Sequence, residues 1–185
     1  MQRILADADV AGTELDAVVA GVGPGPFTGL RAGLVTARTL GFVWNVPLHG
    51  VMSLDALALD AAAGEVLPAG RRFLVGTDAR RGEVYWAEYR MPADGGSLPE
   101  LLDGPHVGAA AALPEGRPLV GRAAGLYPDV VDGVPAFASS DPDAAALGRV
   151  ARLHLLAGKE LRDTSPLYLR ESDARVPGQR KRATA

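Results

Sequence analysis

Residues 21–34 read GVGPGPFTGLRAGL, with five glycines and two prolines in fourteen positions. The segment before it, ELDAVVAGVG (14–23), is a short apolar run entering a Gly/Pro turn, the pattern of a buried strand. Behind the turn, residues 28–43 lack proline and show helical spacing, with Thr28 expected as N-cap and Asn45 and Pro47 marking the exit. Strand, glycine-rich turn and helix N-terminus together form a geometry that can bind anions, because free N–H groups and the helix dipole point at the turn. The specific phosphate loops are not present, however. There is no G-K-[ST], and no lysine precedes Lys159. Gly21, Gly23, Gly25 and Gly29 do not make G-x-G-x-x-G followed by an acid about 20 positions on. Pro24 and Pro26 also lack the N–H groups a phosphate cradle uses.

The helix is more informative than the turn. Gly29, Gly33, Ala37 and Gly41 recur every fourth residue and form a ridge with almost no side-chain height. Each interior helical glycine costs roughly 1 kcal/mol relative to alanine. A helix that carries several needs a backbone to approach it closely, and spacing by four is the ridge of the commonest helix-packing class. Two readings stay open: packing within the chain, or a helix-to-helix contact between subunits. For the second, the candidate interface is Gly29, Leu30, Gly33, Leu34, Ala37, Arg38 and Gly41, with Arg31 beside it.

Outward from this stretch, PLHGV (47–51) reads as a strand and SLDALALDAAAG (53–64) as a helix capped by Ser53 and ended by Gly64. After the loop at 64–72 the period changes. RFLVGTDARRGEVYWAEYRM reads as a hairpin with strands at 72–77 and 83–90, and RPLVG (117–121) as another short strand. DPDAAALGRVARLHLLAG reads as a helix begun by Asp141 and Pro142, with Leu147, Val150, Ala151 and Leu155 on one face. The class is therefore α/β with two lobes. Residues 1–64 form the first lobe, completed by the helix at 142–158; residues 71–141 form the second; 165–185 is a C-terminal segment with a basic tail.

The chain has 185 residues, 48% hydrophobic and 22% charged, the proportions of a soluble globular protein. No apolar run reaches the ~18 residues of a membrane span, and MQRILADADVAG carries acids where a secretory signal has an apolar core. With no cysteine, thiol chemistry and disulfides are excluded, and a cytoplasmic location is expected. A net charge of −3 argues against nucleic-acid binding by the chain alone. The tail with Arg175, Arg180, Lys181 and Arg182 is either a solvated terminus or a docking tail for RNA or an acidic partner.

Catalytic groupings are sparse. His49, His106 and His154 are isolated in sequence, with no metal spacing, and no G-x-S-x-G elbow occurs. Asp78, at a strand end, is either a catalytic carboxylate or the cap of the hairpin turn. No cofactor is expected.

GVGPGPFTGLRAGLVTARTLGF, VPLHGVMSLDALA, TDARRGEVYWAEY and SPLYLRESDA, spread in order from about residue 2 to 175, resemble the TsaB (YeaZ) family. The resemblance implies an actin-like ATPase fold with two RNase H-like lobes. It further implies a non-catalytic subunit of the bacterial machinery that installs N6-threonylcarbamoyladenosine at position 37 of tRNA. Such a subunit pairs with its paralogue TsaD, which holds the metal and transfers the threonylcarbamoyl group, or forms a homodimer. The ATPase TsaE joins that pair, TsaC makes the threonylcarbamoyl-adenylate, and tRNA is met only through the complex. The catalytic paralogues carry H-x-x-x-H after a strand ending GV; here those positions are Ser53 and Leu57, and leucine cannot ligate a metal. The rival reading is an enzyme of the same fold, a phosphotransferase or a glycoprotease-like metallopeptidase, for which the phosphate loop and paired histidines are missing. Family members start with strands that this chain does not show, so the first lobe is expected to lack its N-terminal strands, about 40–50 residues with their connections. A wrong start site is the favoured reason.

Overall fold

The computed structural model describes residues 2–93, 96 and 98–170. After a short helix, α1 (Gln2–Asp7), the chain enters β1 (Val18–Gly21), passes the glycine turn and forms the long helix α2 (Phe27–Trp44). β2 (Leu48–Val51) then pairs parallel with β1, Val18 opposite Leu48. This is the β-turn-α-β unit that the glycine-rich stretch predicted. Thr28, though, is not the cap: α2 starts one residue earlier, after Pro26, with no side-chain cap. The fixed φ of proline sets the chain direction there, and Leu30 N donates to the Pro26 carbonyl at 2.9 Å. At the far end Asn45, at φ 55°, closes the helix in the left-handed conformation.

Helix α3 (Ser53–Ala63) follows β2 at once. Met52 occupies the N-cap position and Ser53 is the first helical residue; its N–H donates instead to the Gly23 carbonyl at 2.7 Å, tying the glycine turn to α3. Leu54, Ala56, Leu57, Ala58, Leu59 and Ala61 are all buried, because α3 is covered on several sides. One side packs on Phe73, Val75, Ala87, Tyr89 and Val120 of the second sheet. Another meets Val150 and Ala151 of α5 (Ala144–Leu156), which follows the four-residue α4 (Ala123–Leu126) and also contacts β1. α3 thus contributes buried residues both to the cluster on the second sheet and to the one with Val51 of β2 and α5.

The second sheet has strand order β5-β4-β3-β6, with β3 (Arg72–Arg80), β4 (Glu83–Arg90), β5 (Glu100–Ala109) and β6 (Leu119–Val120). β3 and β4 form the expected hairpin, but β3 continues to Arg80, three residues further than predicted. The turn is carried by Arg80, Arg81 and Gly82, all at positive φ. Asp78 is the turn cap, its Oδ1 accepting from Arg80 N at 2.7 Å. β5 was not visible in the sequence, because Gly104 and Pro105 interrupt its alternation. Proline is tolerated there because β5 is an edge strand, and its pairing with β4 shifts register between Trp86 and Tyr89. α5 is capped by Asp143, whose Oδ1 accepts from Ala146 N at 2.7 Å. Asp141, expected to start that helix, pairs with Arg122 at 2.6 Å instead.

After α5 the chain returns as a strap along β2 and the glycine turn. Gly50 N donates to the Arg162 carbonyl and Leu167 N to the Val22 carbonyl, each at 2.8 Å. Gly50 is required for this approach: a Cβ there would lie 2.1 Å from the Asp163 carbonyl oxygen. The basic tail from Arg175 to Arg182 lies outside the described residues.

Candidate functional site

The glycine turn forms one wall of a cleft whose opposite wall is the end of β3. Gly23 sits at φ 99°, and a Cβ would press on Leu30 and the Leu167 carbonyl, so the turn needs glycine for packing. Two adjoining cavities fill the cleft. One, of about 330 Å3, is lined by Phe27, Tyr85, Tyr168 and Arg170. The other, of about 460 Å3, is lined by Gly29, Ser53, Thr77 and Arg122. Burial, helped by the Asp78 charge, raises the Tyr85 hydroxyl above its ordinary value. The arginines here already face acceptors: Arg80 pairs with Asp78, Arg122 with Asp141, and Arg170 with Glu83 and the Ala79 carbonyl. Their charges are largely spent within the protein, which disfavours a phosphate site.

Helix α2 presents a different kind of surface. Leu34, Ala37 and Gly41 are buried, and Leu30 is half-buried beside them, packed on Ala20, Val22 and Leu48. A Cβ on Gly41 would meet the Val46 carbonyl at 3.3 Å. Gly29 and Gly33 are exposed, with open space around them. The predicted ridge is therefore divided, and the reason is geometric. Steps of four advance about 40° around a helix, so Gly29 and Gly41 stand roughly 120° apart. Half of the ridge serves the chain's own sheet.

The outward face also carries Ala32, Val35, Thr36, Thr39, Phe42 and Val43, with Phe42 87% exposed. Thr36 and Thr39 donate their hydroxyls back to the Ala32 and Val35 carbonyls, at 2.8 and 2.9 Å. The face is thus uncharged and largely apolar over four turns, an arrangement typical of interaction sites. Arg31 and Arg38 flank this face and bond within the chain. Arg31 lies over the Phe27 ring at 3.7 Å and donates to the Tyr168 hydroxyl at 2.9 Å. Arg38 donates to the Thr164 carbonyl at 2.8 Å and to its hydroxyl. Both arginines hold the strap onto α2. Sequence reasoning missed this because their partners lie more than a hundred residues away.

The metal-motif positions are equally informative. Ser53 lines the cleft, but Leu57 is 1% exposed and packs inside the core against the second sheet.

Comparison with known proteins agrees with this geometry. The family model described as TsaD, tRNA N6-adenosine threonylcarbamoyltransferase, matches residues 1–106. The Escherichia coli tRNA threonylcarbamoyladenosine biosynthesis protein TsaB is 38% identical over 95 residues, 51% of this chain and 40% of that one. The chain belongs to the TsaB (YeaZ) family. An uncharacterized Mycobacterium tuberculosis protein, Rv3421c, is 42% identical over 171 residues, 92% of this chain and 72% of its own length. The crystal structure of a Pseudomonas aeruginosa protein described as similar to peptidase YeaZ superposes with a TM-score of 0.76 at 27% identity, covering 91% of this chain and 80% of that one. The TsaB-like fold is therefore the actin-like, RNase H-like α/β architecture that the motifs implied. The chain spans less than half the length of the Escherichia coli relative.

Proposed function

We propose that this chain is a non-catalytic, partner-binding subunit in the synthesis of N6-threonylcarbamoyladenosine on tRNA, docking on the catalytic paralogue TsaD through the outward face of α2. The observation that carries the reading is that face itself, whose outward residues Gly29, Ala32, Gly33, Val35, Thr36, Thr39, Phe42 and Val43 carry no charge and are exposed among the described residues. Gly29 and Gly33 let a partner backbone approach, and Val35 and Phe42 supply apolar area. Leu30, Leu34, Ala37 and Gly41 hold the helix in place from beneath, and Arg38 locks the strap beside it. A second copy of the chain is the alternative occupant. TsaE joins the pair, tRNA is met only through the complex, and the work is done in the cytoplasm.

The non-catalytic assignment is supported by Leu57 at a metal-ligand position and by the paired arginines of the cleft. The peptidase or phosphotransferase reading requires tight, stoichiometric binding of metal or ATP to the isolated chain, which calorimetry measures directly. The test of docking is co-purification with TsaD from the same organism. Wild type is expected to capture TsaD, whereas Gly33→Leu and Phe42→Asp lose it; equal capture by both variants overturns the assignment of this face. Depletion of the chain is expected to lower threonylcarbamoyladenosine in tRNA, read by mass spectrometry of nucleosides.

A further inference from the structure

A separate cavity of about 470 Å3 lies between α3, α5, the start of β5 and the strap at 159–162. Its volume is that of a small-molecule site. Met52, Ala58, Val150 and Leu161 give it apolar walls, and Asp55 lines it from the first turn of α3. Tyr89, buried on β4, donates its hydroxyl to Asp55 Oδ1 at 2.7 Å and fixes the carboxyl group. Burial raises Asp55 above the ordinary carboxylate range and outweighs the opposing effects of Tyr89, Arg162 and His154. The carboxylate is therefore under-compensated, and a donor cation placed beside it gains strongly.

Two cations complement this carboxyl group. Arg162 and Lys159 line the same cavity, and among the described residues neither side chain has a hydrogen bond or salt bridge. The Gly50–Arg162 backbone contact fixes Arg162 at the cavity wall, where its charge acts on Asp55 and Asp163 without a hydrogen bond to either. His154 also lines the cavity, and burial lowers its pKa below the ordinary imidazole value. Glu100 on the rim is engaged by Arg90 at 2.9 Å; Glu160 is the neighbour of Lys159 in sequence. Asp55 and Arg162 line the same cavity and form no salt bridge with each other, although the Arg162 charge acts on Asp55.

We propose that this cavity binds a small zwitterion, an L-α-amino acid, with its ammonium on Asp55 and its carboxylate on Arg162 and Lys159. The side chain of the ligand lies against Met52, Ala58 and Val150. An amine or a carboxylic acid alone satisfies one end and leaves the other unpaired, so the site selects molecules that carry both charges. This inference is independent of docking on TsaD.

The test is saturation-transfer NMR on the full chain with each protein L-amino acid at millimolar concentration, followed by calorimetry on the strongest. Saturable binding is expected for at least one. Its des-amino and decarboxylated analogues are expected to bind at least about tenfold more weakly to the wild type. Asp55→Asn and Arg162→Ala are each expected to weaken the amino acid by a similar factor. Asn keeps an acceptor for Tyr89 and Arg162 is exposed, so both variants should fold, as circular dichroism will check. Absence of saturable binding by every amino acid overturns the proposal. So do half-analogues that bind as well as the zwitterion, or variants that bind as well as wild type.

Discussion

Gly50 is a residue at which two distant segments meet closely. A methyl group there has no room, because the Asp163 carbonyl oxygen and Val22 Cγ1 would lie 2.1 and 2.6 Å away. Gly50→Ala is expected to lower stability by about 3 kcal/mol through overpacking, measured by urea unfolding. Glu88 is 6% exposed on β4, yet it is charged, since Arg117 donates to Oε1 at 2.7 Å and Arg72 to Oε2 at 2.9 Å. Burial alone would raise this carboxyl group; the two hydrogen bonds and the arginine charges outweigh it and hold it below the ordinary value. A depressed carboxylate stabilises the fold above its unfolded pKa, and that contribution is lost as pH falls through the folded value. Glu88→Gln is therefore expected to cost about 2 kcal/mol at neutral pH and progressively less as acid protonates the wild type, read from urea midpoints across pH. Asp55 has the opposite sign. Its raised pKa favours the fold when protonated and disfavours it as pH rises through the folded value. Asp55→Asn is expected to melt a few degrees above wild type at neutral pH, with the gap closing in acid.

At the level of elements, α2 serves two surfaces with one sequence. Its inner face, Leu34, Ala37 and Gly41, packs on the first sheet, and its outer face is exposed among the described residues. Gly33 separates the two roles experimentally. Because nothing lies within 4 Å of its missing Cβ, Gly33→Leu is expected to stabilise the helix by about 1 kcal/mol while abolishing capture of TsaD. Thermal melts and co-purification read these two outcomes on the same sample. The strap is the second element held by α2. Arg38→Ala removes the bonds to Thr164, so limited proteolysis is expected to cut near residues 158–164 faster than in wild type.

At the scale of the molecule, the local alternation of strand, turn and helix was legible because each signal is carried by neighbouring residues. The β1-turn-α2-β2 unit, the β3–β4 hairpin and α5 lie within a few residues of where periodicity placed them. The Gly/Pro spacing was enough to weaken a phosphate loop, and Ser53 and Leu57 were enough to question a metal site. Three things came only from tertiary structure. β5 needs the edge of a formed sheet to tolerate Gly104 and Pro105. The division of the glycine ridge depends on which side of α2 meets β2, which a repeat of four cannot specify. The functions of Arg31, Arg38, Asp55 and Arg162 depend on a strap that returns from beyond residue 158. Periodicity reports on contacts a turn or a strand apart; partners more than a hundred residues away are set by how the elements pack, and only folding brings them together.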